Sequence, residues 1–338
     1  MNVLLLQLDG KLPNLALMRI ASHHRALGDS VTLRRPMNER APALKPEAIA
    51  QDSFGEPVQW SAIYASAIFS RSSALVGLVR RIYPSAIVGG TGVDSTINLE
   101  QFGISTIEPD YSIYPRFTAS MGFSQRGCRL KCPFCVVPKK EGPVREEQTV
   151  TNIWRGDPYP KHIVLLDNDF FGQPEWRSRI AEIRDGGFKV NFCQGINARM
   201  LNDESAEAIA SVDYRDSEFR SRRIYTAWDN RKDEQRLFKG LEALVRYGVK
   251  PGEIMVYILI GYWPGETRES WEYRRASLRA FGAVPYPMPY VRTEETINFY
   301  RWVVGAHDKQ CSWEEWKALR YQSRNFRPKL DNQGTLFA

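Results

Sequence analysis

Short apolar runs alternate with helical patterns from the first residues onward, and this alternation restricts the fold more than anything else in the chain. Residues 3–7 predict a buried strand. Residues 15–27 predict a helix, with apolar Leu15, Met18, Ile20, Ala21 and Leu27, that stops at Gly28. Residues 31–33 and 63–66 read as the next strands, 73–82 as a helix, and 86–88 as a fourth strand ended by Gly89-Gly90. Parallel neighbours need a crossover, so strand–helix–strand repetition implies a parallel, doubly wound sheet with helices on both faces. Ligands of such sheets sit at the strand carboxyl ends, here Leu8-Asp9-Gly10 and Gly89-Gly90-Thr91-Gly92. Glycines there either bring backbone close to a ligand or make tight turns.

A polar connector with Pro and Tyr occupies residues 101–115. Six further strand patterns follow, at 117–123, 162–167, 190–193, 223–227, 255–261 and 284–288. Helical patterns at 146–154, 174–184, 205–211, 232–247 and 269–281 lie between them. Six such units suit a partial (β/α)6 barrel, whose chemistry sits at the strand C-terminal ends. Two more helices are expected at 298–304 and 312–321, the second with Ser312 as N-cap and Glu315 as capping-box partner. Trp302, Trp313 and Trp316 fall in this appendage, where helical spacing favours packing. Residues from Asn325 on are polar and expected to fray. The fold class is therefore α/β, with a first domain at 1–105, a barrel at 116–290 and a helical C-terminal extension at 291–338.

The densest chemistry lies in Gly127-Cys128-Arg129-Leu130-Lys131-Cys132-Pro133-Phe134-Cys135, a C-x3-C-x2-C loop. Thiolates are soft ligands, and three on one short loop suit a single Fe–S cluster or a zinc ion. A structural zinc site needs a fourth ligand. The nearest histidine is His162, and the remaining cysteines are Cys193 and Cys311. Three thiolates on a four-iron cluster leave one iron open. Cys193 and Cys311 are too few for a second cluster. At a strand end, Cys193 reads either as a hydrogen donor or methyl carrier, or as a buried structural cysteine. Clustered cysteines argue for reduced thiols and a metal rather than disulfides. No run approaches the ~20 apolar residues of a membrane span. The N-terminal run reads as a strand rather than a signal peptide. A cytoplasmic protein without a membrane partner is the expectation.

The cysteine spacing, with aromatic Phe134 before the third cysteine, resembles the signature of the radical SAM superfamily, and the resemblance covers about residues 116–290. The cysteine loop also follows the first barrel strand, where that family places it. The resemblance implies an enzyme in which one 4Fe-4S cluster on Cys128, Cys132 and Cys135 reductively cleaves S-adenosylmethionine. The resulting 5′-deoxyadenosyl radical takes a hydrogen from an unidentified substrate. It further implies a TIM-type partial barrel with cofactor-binding residues at its strand ends. Phe134 would pack near the adenine. The family's Gly-Gly-Glu segment is absent, so Asp167 or Asp169 would accept the cofactor's ammonium; the plain alternative for Asp169 is a helix cap or Asx turn. Gln194, Asn197 and Arg199 end the third strand, with Arg199 facing the cofactor carboxylate or making an ordinary ion pair. Thr226 and Asp229, with Trp228, end the fourth strand and would contact ribose or line the substrate cavity. Ile260 and Gly261 belong to a segment that keeps the family's Gly-x-Ile-x-Gly in part and would pass under the adenine. Met288 ends the sixth. An external low-potential reductant such as flavodoxin or ferredoxin is implied.

A doubly wound domain before such a barrel resembles the cobalamin-binding radical SAM group, so residues 1–105 are expected to form a Rossmann-like, cobalamin-binding-like domain. The Asp-x-His-x-x-Gly motif of that group is missing, and His23 and His24 fall inside a predicted helix. Cobalamin is one cofactor this resemblance allows, with methylation or C–H functionalisation as the reaction; a vestigial domain is the other reading. Charge adds a further expectation. Residues 1–110 hold ten basic and ten acidic side chains, whereas 111–145 hold seven basic and one acidic. That excess either offsets the cluster or attracts an anionic substrate, which makes RNA-base modification the alternative function. A non-catalytic Fe–S or zinc-binding protein is the alternative of another class.

Overall fold

The computed structural model describes residues 1–35 and 59–325. The expectation for the polar tail beyond Asn325 lies outside the described residues. The chain is α/β, built from parallel strands and helices, and divides into two compact units, Met1–Gln173 and Pro174–Ala338. The division falls inside the span read from the sequence as one barrel.

In the first unit, strands β1 (Asn2–Gln7), β2 (Ser30–Arg34), β3 (Ala62–Ser66) and β4 (Ile87–Gly89) form a parallel sheet in the order β2-β1-β3-β4. The two-residue period of β1 feeds two cores. Leu4, Leu6 and Leu8 pack with Val76 and Val79 of helix α2 (Ser73–Ile82), while Val3 and Leu5 pack with Leu17, Ile20 and Ala21 of helix α1 (Leu15–Ala26). Each of these fully buried leucines contributes about 1.5–3 kcal/mol. Asn14 caps α1 by accepting the Leu17 amide at 3.1 Å.

The rest of this unit departs from the sequence reading. The strand expected at 117–123 is only β5 (Ser120–Gly122). The helix expected at 146–154 is reduced to α4 (Val150–Ile153), preceded in the chain by the short helix α3 (Val137–Lys140). The reason is local: β6 (Gln125–Arg126) pairs antiparallel with β7 (Arg145–Glu146), and Thr149 caps the Asn152 amide at 3.1 Å, so the helix starts only there. β8 (His162–Leu165) runs parallel to β5.

In the second unit, β9 (Lys189–Phe192) pairs parallel with β10 (Asp213–Tyr214), and β11 (Ile224–Trp228), β12 (Ile254–Ile260) and β13 (Val284–Pro289) form a parallel sheet. Helices α5 (Trp176–Asp185), α6 (Asp203–Ala210), α7 (Glu234–Arg246), α8 (Arg268–Phe281), α9 (Glu294–Val304) and α10 (Trp313–Asn325) complete it. Pro285, Pro287 and Pro289 all belong to β13. Their alternate spacing puts the three missing N–H groups on the edge away from β12, and Tyr290, of the other parity, donates to Ile260 O at 2.9 Å.

The appendage packs as expected. Glu315 accepts the Ser312 amide at 2.8 Å while Ser312 Oγ accepts the Glu315 amide at 3.3 Å. Trp302, Trp313 and Trp316 are buried around Phe299, with ring centroids 5.6–5.8 Å apart. Trp302→Ala should therefore cost about 3–5 kcal/mol, read as a lower urea midpoint; an unchanged midpoint would mean this cluster contributes no stability. No helix among the described residues is long and apolar enough to cross a membrane.

Candidate functional site

The cysteine loop leaves β5 and is tied down at its base. Gly127 has φ +81°, and a Cβ there would fall 2.1 Å from Pro143 O, so only glycine lets the loop pass. Cys128 N donates to Gly142 O at 3.3 Å, and Cys135 N to Cys132 O at 3.0 Å closes a turn around Pro133-Phe134. The Leu130 amide points at Cys128 Sγ, 3.4 Å away, a donor suited to thiolate charge. Burial, with the charges of Asp169, Cys132 and Cys135, pushes the Cys128 thiol up, and the Leu130 amide opposes this. The three cysteines thus feel one another electrostatically. Among the described residues, however, no three His, Cys, Asp or Glu side chains are gathered closely enough to hold a metal ion. Phe134 is half-buried. A Gly127→Ala chain faces about 1–3 kcal/mol of backbone strain plus the clash with Pro143. It should show a lower melting temperature; a wild-type value would mean the loop tolerates a side chain there.

Both carboxylates at the end of β8 are buried, and both hold the cysteine loop. Asp167 accepts the Ser124 amide at 2.7 Å on one oxygen and the Ser124 hydroxyl on the other. Gln173 Nε2 donates to Ser124 Oγ and to Phe170 O, each at 3.2 Å. Asp169 accepts the Arg129 amide at 3.2 Å and pairs with Arg129 Nε at 3.0 Å. Gly172 leaves room for that carboxylate, since a Cβ there would stand 2.3 Å from Asp169 Oδ2. Asp169 occupies the N-cap position of the 3-10 turn Phe170–Gly172, but its side chain makes no cap bond there and serves instead as an ion-pair partner. An ammonium at this strand end would share Asp169 with Arg129. Ser124 and Gln173 were missed by sequence reasoning, because nothing local marks them, and Arg129 was read as part of the basic segment rather than as the partner of Asp169.

In the second unit, Arg199 Nη1 pairs with Asp233 at 2.7 Å, and its Nε donates to Asn197 Oδ1 at 3.1 Å. Gln194 is exposed. Thr226 is buried, and its hydroxyl accepts the Ala198 amide at 3.1 Å, so it fixes the loop after β9 instead of offering itself to a sugar. Trp228 is fully buried against Phe238 and Tyr273, which is packing. Ile260 is buried as well. Gly261 has φ +73° and donates its amide to Glu266 at 3.0 Å. Glu266 in turn pairs with the fully buried Arg274, which also donates to Trp228 O at 3.0 Å. Met288 is 45% exposed. Asp229 stands apart: burial raises its carboxyl to about 6 against the opposing charges of Arg199 and Arg274, with Asp233 adding to the rise. Cys193 is partly buried, and burial pushes its thiol up to about 11, which keeps it protonated at neutral pH.

At the carboxyl edge of the first sheet the glycines serve backbone packing. A Cβ on Gly90 would meet Ala67 O at 2.3 Å, and one on Gly92 would meet the Phe69 carbonyl carbon at 2.4 Å. Asp9 is consumed by the Ile68 and Phe69 amides and the Ser72 hydroxyl. His24 is buried between Asp29 at 2.8 Å and the Tyr64 hydroxyl at 3.0 Å. The basic segment is also largely matched. Arg126 pairs bidentately with Glu141, Arg145 adds to Glu141, Arg129 meets Asp169, and Lys140 donates to Thr91 Oγ1 at 2.9 Å. Lys131 and Lys139 are exposed.

No protein-family model matches this chain, and no curated protein sequence matches it.

Proposed function

We propose that the chain is a radical SAM enzyme, with one 4Fe-4S cluster on Cys128, Cys132 and Cys135 and S-adenosylmethionine at the open iron. The observation that carries this reading is the C-x3-C-x2-C loop itself, which leaves the carboxyl end of a parallel strand and is held there by two buried carboxylates. The donor set suits the group in kind, three thiols with an amide aimed at Cys128 Sγ and His162 as the nearest histidine in sequence, although the three thiols do not stand gathered as metal ligands. When bound, such a cluster supplies the electron that breaks a C–S bond of S-adenosylmethionine. Around it, this chain's own residues bind and orient. Asp167 and Ser124 fix the start of the loop, Asp169 and Arg129 fix its middle, and Phe134 offers an aromatic face. Gln194, Asn197, Arg199, Gly261 and Met288 remain the proposed cofactor contacts at the other strand ends, and Asp229 lines the substrate cavity. Thr226 and Ile260 enter through backbone position alone.

In the same reading, β5, β8, β9, β11, β12 and β13 are strands of a partial (β/α)6 barrel over residues 116–290. The first sheet belongs to a Rossmann-like domain over 1–105, followed after the barrel by a helical extension over 291–338. A cobalamin on the first sheet would have no histidine at hand, because His24 is engaged inside α1; its support would be the exposed Ile68 and Phe69. An anionic substrate would find Lys131 and Lys139 at the cysteine loop. A cytoplasmic setting with flavodoxin or ferredoxin as reductant completes the proposal.

The test is anaerobic reconstitution of the full chain, then dithionite and S-adenosylmethionine, with 5′-deoxyadenosine measured by chromatography. Its formation supports the proposal. Iron without that product makes the chain a non-catalytic Fe–S protein, and zinc in place of iron makes it a zinc module.

A further inference from the structure

One face of the sheet β11–β12–β13 is buried under helices α7 and α8, while on the other Tyr286 meets Tyr300 of α9, with ring centroids 5.6 Å apart. Ile224, Thr226 and Trp228, Val256 and Ile258, and Pro285 and Pro287 are buried, and Trp228 packs on Phe238 of α7 and Tyr273 of α8. The alternate positions, apart from buried Leu259, are half-buried or exposed. They carry Tyr225, Met255, Tyr257, Tyr286 and Met288. The register sets Tyr257 opposite Tyr286, with ring centroids 5.4 Å apart, and Tyr225 stacks on Tyr257 at 5.9 Å. No charged residue stands at these alternate positions within the three strands.

At the carboxyl end the surface stays aromatic but gains one acid. Tyr262 lies edge-on to Trp263 and Tyr290, at 5.0 and 4.7 Å, and Tyr290 is 53% exposed. Trp263 Nε1 donates to the Asp229 carbonyl at 2.7 Å, which fixes the ring beside that residue. The arginines near Asp229 are committed elsewhere, Arg199 to Asp233 and Arg274 to Glu266. Among the described residues the Asp229 carboxylate itself has no hydrogen bond or ion pair. Two guanidinium groups thus face three carboxylates: Asp229 feels Arg199 and Arg274 through space but bonds to neither, and Lys232 Nζ stands 5.9 Å from the centre of the Trp263 ring.

We propose that this strand-end surface binds an aromatic ammonium: a flat ring laid against Tyr262, Trp263 and Tyr290, with a protonated amine on Asp229. Rings of this kind attract cations through their faces, and a partly desolvated carboxylate lacking a partner gains more from an incoming ammonium than a hydrated one would. An anionic ligand is disfavoured by the same carboxylate. The site needs no iron, so its failure and the failure of the proposed radical chemistry are separable.

The probe is tryptamine, titrated calorimetrically into the full chain as purified without added iron, with indole-3-propionate as the anion of matching ring. Tryptamine should bind, and indole-3-propionate should not. Asp229 takes a proton near pH 6; the charged groups around it are Arg199, paired with Asp233, Arg274, paired with Glu266, and Lys232 over the Trp263 ring. Binding should therefore weaken about tenfold from pH 7 to pH 5. Asp229→Asn should abolish that pH dependence and weaken binding at least tenfold. Tyr290→Leu, at an exposed position that leaves folding intact, should also weaken it. Equal binding of both indoles, or unchanged affinity in both variants, overturns the proposal. Competition by S-adenosylmethionine would make this the cofactor's own site and would overturn it as a separate one.

Discussion

Changing Cys128, Cys132 and Cys135 together to alanine should strip the anaerobically reconstituted protein of its iron, from about four atoms per chain to none, with loss of the brown colour. The expectation follows from the shape of the donor set. Cys193 and Cys311 are too few to build a second cluster, and Cys193 is held as a thiol by burial. His24 is engaged with Asp29 and Tyr64. The loop as it stands has its thiols within electrostatic reach of one another, and binding must deprotonate them against mutual repulsion and the charge of Asp169. Loading should accordingly improve as pH rises from 7 to 9. Single alanine variants should lose most of the iron, since two thiolates leave two irons open. Iron retained by the triple variant would remove the cysteine loop from the proposed function and with it the radical SAM reading.

The regular part of the fold was readable because burial on a sheet imposes a period of two and burial on a helix one near four. Val3 to Leu6 and Ile254 to Ile260 are apolar runs of strand length, and both are strands. Ser73–Ile82 and Arg268–Phe281 carry one apolar stripe each, and both are helices. The reading failed where a non-local contact outweighed the local pattern. Residues 146–154 contain helix formers, but Arg145 and Glu146 pair with Arg126 and Gln125, and that ladder cannot be read from the segment itself.

The candidate site was legible where its chemistry is carried by a short motif and illegible where it depends on partners far apart in sequence. Cys128, Cys132 and Cys135 announce themselves by spacing. Asp167 and Asp169 could be placed at a strand end, but not their partners: Ser124 is 43 residues from Asp167, and Arg129 is 40 from Asp169. Thr226 looked like a ligand residue because its hydroxyl stands near a strand end. Strand alternation turns it toward Ala198 and the helices, whereas Tyr225, its neighbour, takes the open face. A polar residue in a strand can be assigned to a face only once the register is known.

Asp229→Asn should make the protein more stable at pH 8 and leave it unchanged at pH 4. The Asp229 carboxyl is raised to about 6 in the folded chain, mainly by burial, above its unfolded value near 4. Below pH 4 it is protonated in both states and contributes nothing. Between pH 4 and 6 the folded state binds more protons than the unfolded one, so stability falls as pH rises. Above pH 6 the whole cost is present, up to about 3 kcal/mol for a shift near two units. Asparagine carries no such cost, so the difference between variant and wild type in urea midpoints should open across pH 4–6 and then stay constant. A variant equally destabilised at every pH would mean that Asp229 is a structural partner of Arg199 and Arg274. The predicted pattern has a functional reading. A carboxylate that weakens the fold at neutral pH is only partly offset by Arg199 and Arg274, which are paired with Asp233 and Glu266. A cation arriving from outside would offset the remainder, which is the role proposed above for Asp229.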